Sequence, residues 1–215
     1  LAFLGGAVAY SRDQFIAITI LVDRAPAAWR EFFAACAEWI VIIVSVLVGA
    51  YSIPLIIANG EEKTMLLGIG YIWMTVPITA GSAMFVLRAG LSLARRQTRA
   101  LAASTLVVWA ALGLFAALHA TLGVHTHALY VLLAAMFFGL VAAGVPVGFV
   151  LASVGITCVE AIGSANMMAV VMNAQRGAGG FIFLALPFFI LAGYIMDRAD
   201  VGGRIVDFVG SLIGH

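Results

Sequence analysis

His125 and His127 are the two side chains whose type and proximity first suggest chemistry, since paired imidazoles hold metals. Set one residue apart, they would point about 200° away from each other on a helix, and no third ligand accompanies them. A solvated loop or interface role is therefore the better reading than a metal site. Cys36 and Cys158 lie far apart, each within apolar sequence, so they form neither a disulfide framework nor a metal spacing and read as small packing residues. No H-E-x-x-H motif and no pair of intramembrane carboxylates occurs. Glu160 follows one apolar run, and Arg176 opens the Gly-rich stretch Arg176-Gly177-Ala178-Gly179-Gly180. Both read as interfacial, snorkelling residues. No catalytic residue and no metal ligand is assigned, and the chain does not read as an enzyme.

The elements around these residues are of one kind. Hydrophobic residues make up 64% of the 215, charged residues only 10%, and mean hydropathy is +1.15, against about 25% charged in a soluble domain. Such a chain cannot cover a water-facing surface, so the bilayer is its expected solvent. A net charge of +1 supplies no field for nucleic acid. The expected fold class is an all-α integral membrane protein, a multi-span helical bundle with interfacial amphipathic helices.

A span needs about 20 apolar residues. Trp39 to Asn59 and Thr64 to Leu87 carry no charge, the latter with Tyr71 and Trp73 placed as interfacial anchors. Ala100 to Val124, interrupted only by His119, is a third span, and Phe181 to Met196 a shorter fourth. Ala128 to Cys158 is too long for one span. Pro146 removes a helical donor and Gly144 permits a turn, so the run reads as two short spans or a broken helix, with one tilted helix as the alternative. Small residues such as Gly68, Gly70, Gly81, Gly90, Gly139, Gly144 and Gly148 could mark close helix packing.

The link after the second span holds Arg88, Arg95, Arg96 and Arg99, whereas the link before it is Glu61-Glu62-Lys63. By the positive-inside rule the arginine link is cytoplasmic, the loop Thr121 to His127 external, and Asp197-Arg198 with Arg204 internal. Ser11 to Glu38 alternates charges with apolar pairs and reads as a helix lying in the interface, as does Val201 to Ile213. The sequence opens on Leu1 within an apolar run and closes on Gly214-His215 within an amphipathic pattern, which reads as a stretch of a longer protein.

Three blocks in the second half carry a resemblance. They are Gly144-Val145-Pro146-Val147-Gly148-Phe149, then Leu186-Pro187-Phe188-Phe189-Ile190-Leu191-Ala192-Gly193-Tyr194-Ile195-Met196-Asp197-Arg198, then Arg204-Ile205-Val206-Asp207. Together they resemble the start of the large (DctM-like) permease subunit of TRAP (tripartite ATP-independent periplasmic) transporters. The first half, with Gly68-Ile69-Gly70-Tyr71-Ile72-Trp73 before Pro77, is similar to the small (DctQ-like) subunit. On that resemblance residues 1–99 are a small-subunit scaffold, 100–124 a joining transmembrane helix, and 125–215 the N-terminal part of the large subunit. A joining helix also reconciles a small subunit ending inside with a large one starting outside.

The resemblance implies a multi-pass protein of the bacterial inner membrane that takes an organic acid, C4-dicarboxylate-like or a related carboxylate, from a periplasmic solute-binding protein. It implies sodium ions as coupling ions, no other cofactor, and a moving domain against a fixed scaffold. Gly144, Pro146, Pro187, Gly193, Asp197 and Arg198 are carried as structural motif positions. The family's ion and substrate ligands belong to re-entrant hairpins with Gly-Ser-Ser type turns. This sequence has no such turn, so no ligand is assigned to any residue. The rival readings are another multi-span permease, such as that of an ABC importer, a membrane enzyme whose site lies in other sequence, and a purely structural scaffold.

Overall fold

The computed structural model describes residues 2–12, 15–58, 68, 70, 72–96, 98–122, 127–163 and 166–214, and their regular structure is entirely helical. The helices are α1 (Ala2–Ser11), α2 (Ile20–Asp23), α3 (Ala27–Ala58), α4 (Ile72–Ala94), α5 (Thr98–Leu122), α6 (His127–Ala142), α7 (Val147–Ile162), α8 (Met167–Ala178), α9 (Phe181–Arg198) and α10 (Val201–Ile213). They group into two compact units, Leu1–Asn173 and Ala174–His215.

Within the first unit α3 is the organising element. Pro26 ends the short α2 turn and its carbonyl accepts the Trp29 and Arg30 amides, which starts a new helix. No breaker follows until Pro54, and even that proline is absorbed within the helix, so α3 runs for 32 residues, about 48 Å. This corrects the expectation of one interfacial helix over Ser11 to Glu38. That stretch is divided between the end of α1, an irregular strap over residues 15–19, α2 and the first turns of α3. The charges that suggested an interface, Arg30, Glu31 and Glu38, sit on the part of α3 that exceeds an apolar core about 30 Å thick.

The second span also shifts. Glu61-Glu62-Lys63 lies outside the described residues, as do Tyr71 and most of the stretch expected to begin the span, and α4 runs on to Ala94. Arg88 is therefore helical, and Arg95 and Arg96 are the described residues left between α4 and α5. The stretch expected as a third span forms α5, and that expected as a fourth forms α9 with Pro187 inside it. The long run at Ala128 to Cys158 resolves into two helices. Gly144 turns the chain at φ +76°, and Pro146 caps α7 at φ −55° and ψ 131°.

Packing follows a membrane logic. α3 and α4 are antiparallel, because Gly49 faces Ser82 while Ser52 faces Thr79. α1 lies parallel to α4, with Phe3 beside Gly81 and Gly6 beside Phe85. One core unites Ala7, Val41, Val44, Phe85, Ala89, Val145, Phe149, Val150 and Ile156. Large apolar side chains nonetheless cover the outside, with Ile57 77%, Leu106 72% and Phe138 68% exposed. A face of that composition is stable against lipid or further protein rather than water. In the second unit α10 is likewise amphipathic, with Ile205, Val209 and Ile213 recurring at helical spacing and exposed.

Candidate functional site

The polar side chains of the first unit converge at the arginine end, where α1 and α4 finish and α3 begins. Tyr10, one residue from the end of α1, donates its hydroxyl to Glu38 Oε2 at 2.6 Å. Arg96 sits between two carboxylates two turns apart on α3, with Nη1 3.2 Å from Glu31 Oε2 and Nη2 4.0 Å from Glu38 Oε1. Glu31 is exposed, so its pair with Arg96 contributes about 0–1 kcal/mol. Glu38 is largely enclosed, and the charge-assisted bond from Tyr10 is the stronger tie.

The Tyr10 ring extends this polar group into an aromatic one. Its centroid is 5.7 Å from Phe15, 5.6 Å from Phe85 and 6.2 Å from Phe149. Phe85 and Phe149 meet edge-to-face at 5.1 Å, and Phe15 lies 6.0 Å and 5.9 Å from them. Edge-to-face pairs of this kind contribute about 0.5–1.5 kcal/mol each beyond area burial. The four rings come from α1, the strap, α4 and α7, so one cluster joins the first and second halves of the chain.

A second polar feature runs along the α3–α4 contact. Gly49 and Ser52 on α3 face Ser82 and Thr79 on α4, and Ser45 and Thr75, one turn further along each helix, are buried as well. Ser52 Oγ donates to the Gly49 carbonyl at 2.7 Å, which leaves Thr79 Oγ1 as donor across the seam at 2.7 Å. Small residues allow the backbones to approach, and interhelical hydroxyls then bond where no water competes.

The motif positions fall in two places. Gly144 and Pro146 form the α6–α7 turn that the aromatic cluster holds, with Val145 fully buried between them. Pro187, Gly193, Asp197 and Arg198 belong to α9 in the second unit, where Arg198 stacks on the Tyr194 ring at 5.0 Å. Gly193 has open space around its Cα, and Asp200 turns the chain into α10 at φ +49°. Arg176 is helical, in the last turn of α8, rather than in a Gly-rich connection; the glycine turn begins only at Gly179. Glu160 and His127 are exposed, and His125 lies outside the described residues. Sequence reasoning missed the Tyr10–Glu38 bond and the aromatic cluster. Their only signal was Tyr10 standing two residues before a charged stretch at the end of an apolar run.

Comparison with known proteins divides the chain in sequence, at a different place from its two compact units. The family profile described as tripartite ATP-independent periplasmic transporters, DctQ component, matches residues 1–99, and that of the DctM component matches residues 134–215. The chain is 37% identical over 79 residues to the sialic acid TRAP transporter large permease protein of Vibrio cholerae, which is 37% of this chain and 18% of that protein. It is 34% identical over 77 residues to the 2,3-diketo-L-gulonate TRAP transporter large permease protein of Escherichia coli, 36% of this chain and 18% of that one. The chain thus spans less than a fifth of the length of these curated relatives. With both components matched in order along one lipid-facing helical polypeptide, the chain belongs to the TRAP transporter permeases, as a DctQ-like segment followed by a DctM-like one.

Proposed function

We propose that the complete protein is a fused TRAP permease of the bacterial inner membrane, crossing it several times, which imports an organic acid handed over by a periplasmic binding protein and driven by sodium ions. The observation that carries this reading is the succession of a DctQ match and a DctM match in a single chain. In it residues 1–99 are the small-permease scaffold, 100–124 the joining helix, centred on α5, and 125–215 the opening part of the large permease. The arginine end faces the cytoplasm, in keeping with Arg95 and Arg96 beside the start of α3. The named substrates of the two relatives, sialic acid and 2,3-diketo-L-gulonate, are both carboxylates, which favours a carboxylate here, whether a sugar acid or a C4-dicarboxylate.

The test is uptake of radiolabelled carboxylates into proteoliposomes holding the complete protein. Accumulation that requires both an inward sodium gradient and the cognate binding protein supports the proposal. Accumulation that persists without sodium and requires ATP hydrolysis overturns it.

A further inference from the structure

The strap that precedes α2 has no partner of its own kind, yet it is fixed at both ends. Its carbonyl at Ile16 accepts a hydrogen bond from the Val147 amide at 3.1 Å, a backbone bond between segments 131 residues apart. Phe15 lies against Gly148, where an added Cβ would stand 3.9 Å from its ring, and against Phe149 in the aromatic cluster. Val22 presses on Gly144 so closely that a Cβ there would lie 3.2 Å from Val22 Cγ2. The Ile16 side chain, by contrast, is 79% exposed, so the strap docks through its backbone and its flanking side chains. At its far end Arg30 reaches back from α3 to the Asp23 carbonyl and, at 2.9 Å, to the Ala25 carbonyl, while Thr19 donates to Asp23 at 2.8 Å.

We infer that the turn Gly144–Phe149 is a docking site for the strap and α2 turn of this same chain, residues 15–22, and that this clasp fastens the α6–α7 hairpin to the α3–α4 bundle. The joining helix α5 supplies the covalent link; the clasp supplies the alignment. Each residue of the turn has a part in it. Gly144 gives the positive φ and room for Val22, Val145 enters the core, and Pro146 holds the extended conformation that presents the next amide outward. Val147 donates that amide, Gly148 admits the Phe15 ring, and Phe149 completes the cluster. The clasp does not depend on what is transported, so a failed uptake experiment leaves it standing.

The experiment uses the full chain with a specific protease site placed between Leu122 and His127, purified in detergent, cleaved, and followed by size-exclusion chromatography. Wild-type pieces are expected to co-elute. Val147→Pro is the selective variant, because Val147 is the first residue of α7, where proline is well tolerated, and Pro146 already has the backbone angles that a residue before proline requires. It removes the donated hydrogen bond and leaves α7 intact. Its pieces are expected to separate about fivefold faster, the effect of one hydrogen bond. Gly144→Val, which adds strain and a clash with Val22, should act more strongly. Phe138→Ala, on the exposed face of α6, should behave as wild type. Uncut variants are first checked for helical content and monodisperse elution, and Val147→Pro carries the test if Gly144→Val fails to fold. The inference is overturned if cleaved wild type falls apart as fast as Val147→Pro, or if Val147→Pro pieces stay together as long as wild type.

Discussion

Gly81 is where the packing of α1 on α4 can be tested most directly. A Cβ at that position would lie 3.0 Å from Phe3 Cβ and 3.1 Å from the Phe3 carbonyl carbon and oxygen. Carbon atoms pack best at about 3.5–4.0 Å, so Gly81→Ala requires α1 to retreat by about half an ångström. Most of the obstructing atoms are backbone, which cannot rotate aside, and the retreat would pull Ala7 and Tyr10 from their contacts. Overpacking of this kind costs about 1–3 kcal/mol, whereas glycine to alanine within a helix returns about 1 kcal/mol. Gly90, on the same helix, has nothing within 4 Å, so Gly90→Ala collects the helical gain alone. The difference between the two variants isolates the clash. At this chain length each kcal/mol moves Tm by about 2–4 °C, so Gly81→Ala should melt about 5 °C below Gly90→Ala in the same detergent. A second measurement is maleimide labelling of Ala7→Cys in a background without Cys36 and Cys158, since Ala7 is buried against α4. Labelling should accelerate when Gly81→Ala is added. Equal melting of the two alanine variants, with no change in labelling, would refute the close approach of α1.

Further outcomes follow from the same structure. Ser52→Ala and Thr79→Val should each destabilise by about 0.6–1.7 kcal/mol, and a double-mutant cycle in thermal unfolding should show that the losses are not additive, because they share one interhelical bond. Ser45→Ala, in the same seam, should be neutral or stabilising by the same assay, since the buried Ser45 hydroxyl has no hydrogen-bond partner among the described residues. Tyr10→Phe keeps the ring but withdraws the donor from Glu38, and should cost about 1–2 kcal/mol in thermal unfolding. If the arginine end is cytoplasmic, a cysteine replacing Arg95 in inverted vesicles should react with an impermeant maleimide, and one replacing Glu61 should not. The reverse pattern would invert the topology.

Individual apolar helices were legible because lipid imposes length and apolarity directly on a chain of this composition. Ala100 to Val124 differs from α5 by two residues at each end, and the Gly144–Pro146 break was visible as a missing donor and a permitted turn. The extension of α3 to Ala27 was not legible, since alternating charges and aromatic pairs suit a helix in the interface as well as one that projects past it. Pro26 was the informative residue, because it fixes where the new helix starts. Glycine alone was also a poor guide. Gly81 and Gly144 make close approaches, whereas Gly90 and Gly139 face open space. The Tyr10–Glu38 bond, the Val147–Ile16 bond and the four-ring cluster join residues brought together only by the parallel placement of α1 on α4 and the docking of the α6–α7 turn. No local pattern encodes such pairings.

The α6–α7 hairpin shows why the clasp sits where it does. Each of these helices has 16 residues, about 24 Å, against an apolar core about 30 Å thick. A hairpin too short for the bilayer must thin it, tilt less than its neighbours, or leave polar residues below the headgroups. Lipid cannot decide its depth, because its exposed surface is apolar along both helices, as Val131, Phe138 and Leu151 show. Depth must therefore come from a fixed point. The Val147–Ile16 bond and the aromatic cluster supply one toward the arginine end, where Phe149 packs on Phe85, nine residues or about 14 Å before the end of α4. Phe149 to Ile162 and Phe85 to Ile72 are both 13 residues, so at equal tilt α7 reaches as far as α4 and the missing length of about 6 Å falls on the side of the α6–α7 turn. The bilayer should therefore thin on the side of the turn, whereas the exposed His127 at the start of α6 and Glu160 near the end of α7 lie at the other end and should stay at the interface.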